Sequence, residues 1–304
     1  MPLSYAIALL IGPKQTEIDR TIDLIDSLVK LEPTPAKVAV VDDCPEPRDL
    51  GKHFRFPPHI TPTYLRFERP RVRFSEAKGV CGNSMMAFQW IARNAPEARF
   101  GMKLDTDALV IGPFAEKLAA EFDRDPSIGA LGAYTKTPEG HDRDISRNAR
   151  LMRELHRPAV RLGSLVSSLK KRLGDPPSAP KTIRRHIDDA VAHGYVYGEN
   201  CLGGGYAMSR ESLAEMNRRG YLDDYMMWAG VDVPEEVMMC MYVRSCGKRL
   251  QDYVARGEVF GVRFVGLPFD LPELVERGYS IIHSVKNDKR HTEEQVRAFF
   301  AAQR

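Results

Sequence analysis

The chain has 304 residues, 43% hydrophobic and 28% charged, a composition that excludes a disordered or fibrous protein and allows a large core in one big domain or two small ones. A net charge of +3 is too small by itself to imply a nucleic-acid binder. Twelve Lys/Arg against four Asp/Glu lie between His141 and His186, so +8 sits in that window and −5 on the remainder. A local basic patch on a mildly acidic body is the expectation.

Residues 6–11 (AIALLI) form a continuous apolar run of strand length, closed by Gly12 and Pro13. Ile18, Ile22, Ile25 and Val29 recur at helical spacing, and Pro33 and Pro35 end that helix. Residues 37–43 (KVAVVDD) predict a second buried strand ending in paired acids. A Pro- and aromatic-rich stretch to about Glu76 holds one strand, TYLRFE. A helix over GNSMMAFQWIARNA and a strand and turn over RFGMKLDTDALV come next. This order predicts a parallel α/β sheet covered on both faces. Ligands in such sheets sit beyond the carboxyl ends of the strands, where Asp42, Asp43, Asp105 and Asp107 fall.

Pro113 opens a helix over FAEKLAAEF, and IGALGAY reads as a strand. The basic stretch 145–174 reads as largely helical with breaks near Pro158 and Gly163, and 175–180 (DPPSAP) as a loop or linker. Gly203, Gly204 and Gly205 precede a short strand, with Ser209 as N-cap and Gly220 as end of the following helix. A helix over VPEEVMMCMYVRSCG carries Pro234 in its first turn and Gly247 at its end. FVGLPFDLP and YSIIHSVKND follow, and Thr292 with Gln295 predicts a capping box on the last helix.

Three Asp-x-Asp pairs occur: Asp105/Asp107, Asp123/Asp125 and Asp142/Asp144. Only the first follows an apolar strand; the other two read as solvated surface. In extended chain Asp105 and Asp107 point to one side. Two hard carboxylates there suit Mg²⁺ or Mn²⁺, while the plainer account is a strand-end turn in which Asp caps the next helix. The acids of VVDDCPE contact a ribose or base edge, or simply favour a turn. The glycine run lacks GxGxxG spacing, which argues against a Rossmann dinucleotide site; it lets backbone approach a ligand or forms a tight turn. Glu235 and Glu236 either complement a helix dipole or supply a general base. His283 is a third metal ligand or a structural imidazole.

The order of these blocks adds what no single block carries. NSMMAFQWIARNAPEARFGMKLDTDALVIGP resembles the central block of the β-1,3-galactosyltransferase and fringe-type glycosyltransferases. GGGYAMSRESL is similar to that family's glycine-rich strand and Ser-capped helix, VPEEV to its acidic pair, and YSIIHSVKND to its late strand with His and Lys. The opening AIALLI…VAVVDDCPE is closer to family-2-like transferases of the same GT-A fold. The resemblance spans roughly residues 5–133 and 198–288. It implies one GT-A domain with a mixed, mainly parallel sheet flanked by helices. Residues 1–133 would form a nucleotide-sugar-binding half, 134–197 a basic helical insertion and 198–304 an acceptor and catalytic half.

It further implies a hexosyltransferase acting in glycan or cell-surface polysaccharide synthesis, moving sugar from a UDP-sugar to an acceptor hydroxyl with inversion. Asp107 and His283 would hold Mn²⁺ (or Mg²⁺), with Asp105 touching the ribose or a metal-bound water. Lys286 would meet phosphate. Asp42 or Asp43 would face the nucleotide base, with Lys78 or Asn83 lining the same pocket, and Glu236, with Glu235 as the neighbouring alternative, would be the base. The family's acidic pair usually includes Asp, whereas both positions here are Glu, and Thr106 is a mild departure at the centre of the acid triplet.

Two rivals remain. A sugar-nucleotide nucleotidyltransferase shares the sheet and the acids but needs a Gly-rich basic loop after its first strand, where this chain has only IGPKQ. A non-catalytic carbohydrate- or partner-binding protein on the same scaffold would keep the metal and not need Glu236. The basic window reads either as solvated helices or as a surface docking to an anionic membrane or an acidic glycan acceptor; Leu151, Leu155, Leu162, Leu165, Val166 and Leu169 against many Arg suit an amphipathic segment lying peripherally on the membrane. Five cysteines without CxxC spacing fit a reducing compartment, and the opening apolar run lacks a leader pattern, so a cytoplasmic protein is expected.

Overall fold

A computed structural model describes residues 3–68, 80–157, 180–229 and 231–304. Lys78, the breaks near Pro158 and Gly163, the leucines from Leu162 to Leu169 and residues 175–179 lie outside these.

The chain builds a seven-stranded sheet in the order β3-β2-β1-β4-β7-β6-β8 and a three-stranded sheet in the order β5-β10-β9. The first four strands of the large sheet are β1 (Tyr5–Ile11), β2 (Ala36–Asp42), β3 (Ile60–Arg66) and β4 (Phe100–Leu104). These pair in parallel, with Ile11 opposite Asp42 and Leu9 opposite Leu104. Strand β1 reads as an unbroken apolar run because both its faces are covered. Tyr5, Ile7 and Leu9 pack against helix α1 (Gln15–Leu31), while Ala6 and Ala8 make room for helix α2 (Val80–Asn94). Pro62 falls inside β3 without penalty because β3 is an edge strand.

After β4 come the two-residue β5 (Leu109–Val110), helix α3 (Ala115–Arg124) and β6 (Ile128–Gly132). Helices α4 (Ser146–His156) and α5 (Pro180–Ala192) lie in the basic window. They are part of the main core, since Met152, Ile183, Ile187 and Ala190 are buried in it. Helix α5 lies within the expected basic helical insertion 134–197, and it begins at Pro180, which reads from sequence as the end of a loop.

Strand β7 (Gly205–Ser209) makes the sheet mixed rather than wholly parallel, as the GT-A resemblance implies. It runs antiparallel to both β4 and β6. Ser209 then caps helix α6 (Arg210–Arg218), accepting from the Ser212 amide, and Gly220 at φ 71 closes that helix. Pro234 is the N-cap of helix α7 (Glu235–Ser245), with Gly247 at φ 72 beyond its end. The short β8 (Arg249–Asp252) and β9 (Phe260–Val262) have no sequence expectation. Helix α8 (Leu271–Glu276), β10 (Ile281–His283) and helix α9 (Glu293–Ala301) complete the chain, and Thr292 and Gln295 form the expected capping box. No helix among the described residues is long and apolar enough to cross a membrane.

Candidate active site

Strand β4 delivers Asp105 to a turn in which the Ala108 amide donates to the Asp105 carbonyl at 3.0 Å. Strand β5, just beyond that turn, pairs antiparallel with β10, which brings His283 alongside it. The Val285 amide donating to the Asp107 carbonyl at 3.0 Å fixes the two segments together. One ligand atom from each of Asp105, Asp107 and His283 lies within 4.8 Å of the others.

Each carboxylate divides its oxygens. Asp105 gives Oδ1 to Lys103 Nζ at 2.6 Å. Asp107 gives Oδ2 to the Ser284 hydroxyl at 2.5 Å and to Lys286 Nζ at 3.2 Å. The remaining oxygens, Asp105 Oδ2 and Asp107 Oδ1, face His283 Nε2 at 3.6 and 3.3 Å. His283 Nδ1 sits 2.7 Å from the Arg263 carbonyl, an orienting bond that leaves Nε2 for the acids. Burial alone would raise the Asp107 pKa, but His283, Ser284 and Lys286 together hold it well below the usual carboxylate range. Burial would lower that of His283, and the two aspartates outweigh it and raise it. Two carboxylate oxygens and an imidazole nitrogen, with Asp105 35% exposed, are a donor set that fits Mn²⁺ or Mg²⁺ with one side open.

Lys103, which sequence reasoning passed over, ties this cluster to the acidic pair. Its ammonium is 2% exposed and meets Asp105, Glu235 Oε1 at 2.7 Å and the Gly203 carbonyl at 2.6 Å. Burial would discharge such an amine, yet the two carboxylates hold its pKa above the ordinary value. Glu235 Oε2 accepts from the Tyr206 hydroxyl at 2.9 Å and from Ser84 Oγ at 3.3 Å. Glu235 is thus a buried, fully engaged carboxylate. Glu236 is partly exposed, has no cationic partner among the described residues and lines a cavity of 490 Å³. Burial first, and the charge of Glu235 second, push its pKa up to about 7, against the pull of Lys103. Adjacent carboxylates with environments this different are suited to different tasks.

The glycine run makes this closeness possible. Because β7 is antiparallel to β4, Gly205 pairs with Leu104 and the Gly204 carbonyl accepts from the Asp105 amide at 3.2 Å. A Cβ on Gly204 would collide with the His283 ring, and one on Gly203 would lie 3.1 Å from Glu236 Oε2. What approaches the glycine backbone is therefore the protein's own imidazole and carboxylate. If the cluster holds a divalent ion, Gly204→Ala is expected to weaken that binding about 10- to 100-fold by displacing His283 from its orienting bond. The crowding should cost about 1–3 kcal/mol of stability. Thermal unfolding at graded Mn²⁺ reads both, and an unshifted metal midpoint would dismiss this role for the glycine.

At the ends of β1 and β2, Asp42 is engaged by Arg48, with Nη2 at 2.7 Å, and by the Cys44 amide at 2.9 Å. Asp43 accepts from Asn83 Nδ2 at 3.0 Å, so these two predicted residues do come together. Lys286 reaches the acid cluster with a side chain that is 42% exposed. Besides Lys103, sequence reasoning missed Ser284, Arg263 and Tyr206. The one readable signal was a lysine inside the apolar strand FGMKL.

No protein-family model and no curated protein matches this sequence. Among solved structures, the chain is similar to the apo form of the bifunctional glycosyltransferase WbbM, at 12% identity and a TM-score of 0.47, over 95% of this chain and 47% of that one. It is also similar to apo mouse xyloside xylosyltransferase 1, at 10% identity and a TM-score of 0.45, over 95% of this chain and 100% of that one. The chain thus spans about half the length of WbbM.

Proposed function

We propose that this chain is a metal-dependent, inverting glycosyltransferase of GT-A type that moves a hexose from a UDP-sugar to an acceptor hydroxyl, in glycan or cell-surface polysaccharide synthesis. One observation carries the reading. Asp105, Asp107 and His283 converge within 4.8 Å at the carboxyl end of β4, and the run Gly203, Gly204 and Gly205 links that cluster to Glu236.

In this reading Asp105, Asp107 and His283 hold Mn²⁺ or Mg²⁺, which when bound neutralises charge on a leaving diphosphate. Lys286 reaches toward the same phosphates. Asp43 and Asn83 face the nucleotide base, while Asp42 positions the Arg48 loop. Glu236 accepts the proton of the acceptor hydroxyl as its oxygen bonds to the anomeric carbon. The bond from that carbon to the diphosphate oxygen breaks on the opposite face, and its electron pair leaves with the diphosphate. Residues 1–133 serve the donor and 198–304 the acceptor and catalysis. All five cysteines are free, which suits a reducing, cytoplasmic setting.

Calorimetric titration of UDP with Mn²⁺ and with chelator tests the donor half. Binding that needs the metal supports it; equal binding in chelator would end the metal-dependent reading. The base has its own signature in pH. Glu236 works when ionised, so kcat at saturating metal and donor should rise with pH through about 7 and level off above it. A profile flat between about pH 5.5 and 8.5 would remove Glu236 as base.

A further inference from the structure

The cavity beside Glu236 has chemistry that the donor-site reading leaves unused. Its wall includes Thr137, Arg143, Arg147, Asn200 and Phe264. Asn200 is 0% exposed, and its Oδ1, like the buried Thr137 Oγ1, meets no hydrogen-bond partner among the described residues. A buried acceptor left without a donor costs free energy, and since neither oxygen is open to solvent, a bound hydroxyl recovers it only after the side chain turns toward the cavity. Asn200 is anchored on its other side: Nδ2 donates to the Cys201 carbonyl at 3.0 Å and Arg143 Nη1 donates to the Asn200 carbonyl.

The wall carries three carboxylates (Asp142, Asp144 and Glu236) and three guanidinium groups (Arg143, Arg147 and Arg263), even in number but not paired with one another. Asp142 is spent on Lys136 at 2.6 Å, and Asp144 on the Ser146 amide at 2.8 Å. Arg263 pairs with Glu139 at 3.2 Å. Among the described residues neither Arg143 nor Arg147 has an ion-pair partner. Arg143 is locked by the carbonyls of Ala133, Tyr134 and Asn200, so its charge is fixed in place. At the rim Phe264 is 79% exposed, an apolar ring standing in water beside a polar cavity.

We infer that this cavity is the acceptor subsite and takes a sugar ring bearing a carboxylate or phosphate, with the ring against Phe264, hydroxyls meeting Asn200 and Thr137 once these side chains turn toward it, and the anionic group on Arg147 beside Arg143. The inference rests on the transferase reading and names the acceptor class for it. Hydroxyl-only sugars would satisfy Asn200 and Thr137 but leave the guanidinium charge unmatched.

The test uses the full chain with Mg²⁺ and saturating UDP, and ligand-observed saturation-transfer NMR on matched probes. These are glucuronate against glucose, galacturonate against galactose, and mannose 6-phosphate against mannose. At least one anionic probe is expected to bind about tenfold tighter than its neutral match, a preference that Arg147→Ala removes. Phe264→Ala should weaken both members of that pair about fivefold without moving UDP affinity. Both variants are at exposed positions, so folding is retained. The carboxylate and phosphate arms separate the two sources of charge. If UDP binds and no anionic probe exceeds its neutral match, or Arg147→Ala leaves the preference intact, the acceptor assignment falls alone. If UDP does not bind, the donor reading falls and this inference with it.

Discussion

Glu236→Gln is expected to lower turnover by about three orders of magnitude while leaving donor affinity within about twofold of wild type, because a general base typically supplies 10²- to 10⁴-fold. The substitution is nearly isosteric and removes only the ability to take a proton. It touches none of Lys103, Tyr206 or Ser84, which engage Glu235. It also removes one of two adjacent carboxylates, so the fold should lose no stability from it. Glu235→Gln is the informative contrast. That change weakens the Lys103 bridge and should act mainly through stability and the position of Asp105. Steady-state kinetics and UDP titration on both variants separate these effects. Retained turnover in Glu236→Gln would sink the base assignment. Full sugar binding with no turnover in any variant or in wild type would favour the non-catalytic reading.

Asp107→Asn should abolish metal-dependent UDP binding and reduce turnover by about three orders of magnitude, the equivalent of roughly 4 kcal/mol of lost charge stabilisation. The amide keeps the shape of the turn, and the backbone bond from Val285 to the Asp107 carbonyl is untouched. What goes is a negative charge shared by His283, Ser284 and Lys286. Lys286 is substantially exposed and can return to water, so the folded state should tolerate the loss far better than the function does. Isothermal titration of Mn²⁺ followed by UDP checks the prediction. Wild-type affinity for both would remove Asp107 from the metal set.

How much of this was legible in the sequence depends on what each residue must tell. Strands β1 and β2 announce themselves because both faces are buried, which writes them as unbroken apolar runs. Asp105 and Asp107 stand out for the same reason, as charges ending such a run. The direction of β7 is invisible, since GYAMS reads alike in either sense, and yet that reversal sets the glycines beside Asp105. Lys103 is a cation with no visible cause until Asp105 and Glu235 are seen on either side of it. Helix α5 carries Ile183, Ile187 and Ala190 at helical spacing, but among so many Lys and Arg the segment reads as solvated. Strands β8 and β9, at four and three residues, are too short to show a period.

The bond between Ser284 and Asp107 joins residues 177 positions apart, and Lys103 reaches the Gly203 carbonyl across 100. Such long-range closures carry a loop-closure entropy that local contacts do not. No local segment can therefore hold the site in an unfolded ensemble. Whatever binds there binds the native state alone, so its binding free energy adds directly to the stability of both sheets. Saturating the site should slow hydrogen exchange in β1 as well as in β10, although β1 contributes none of the three converging side chains.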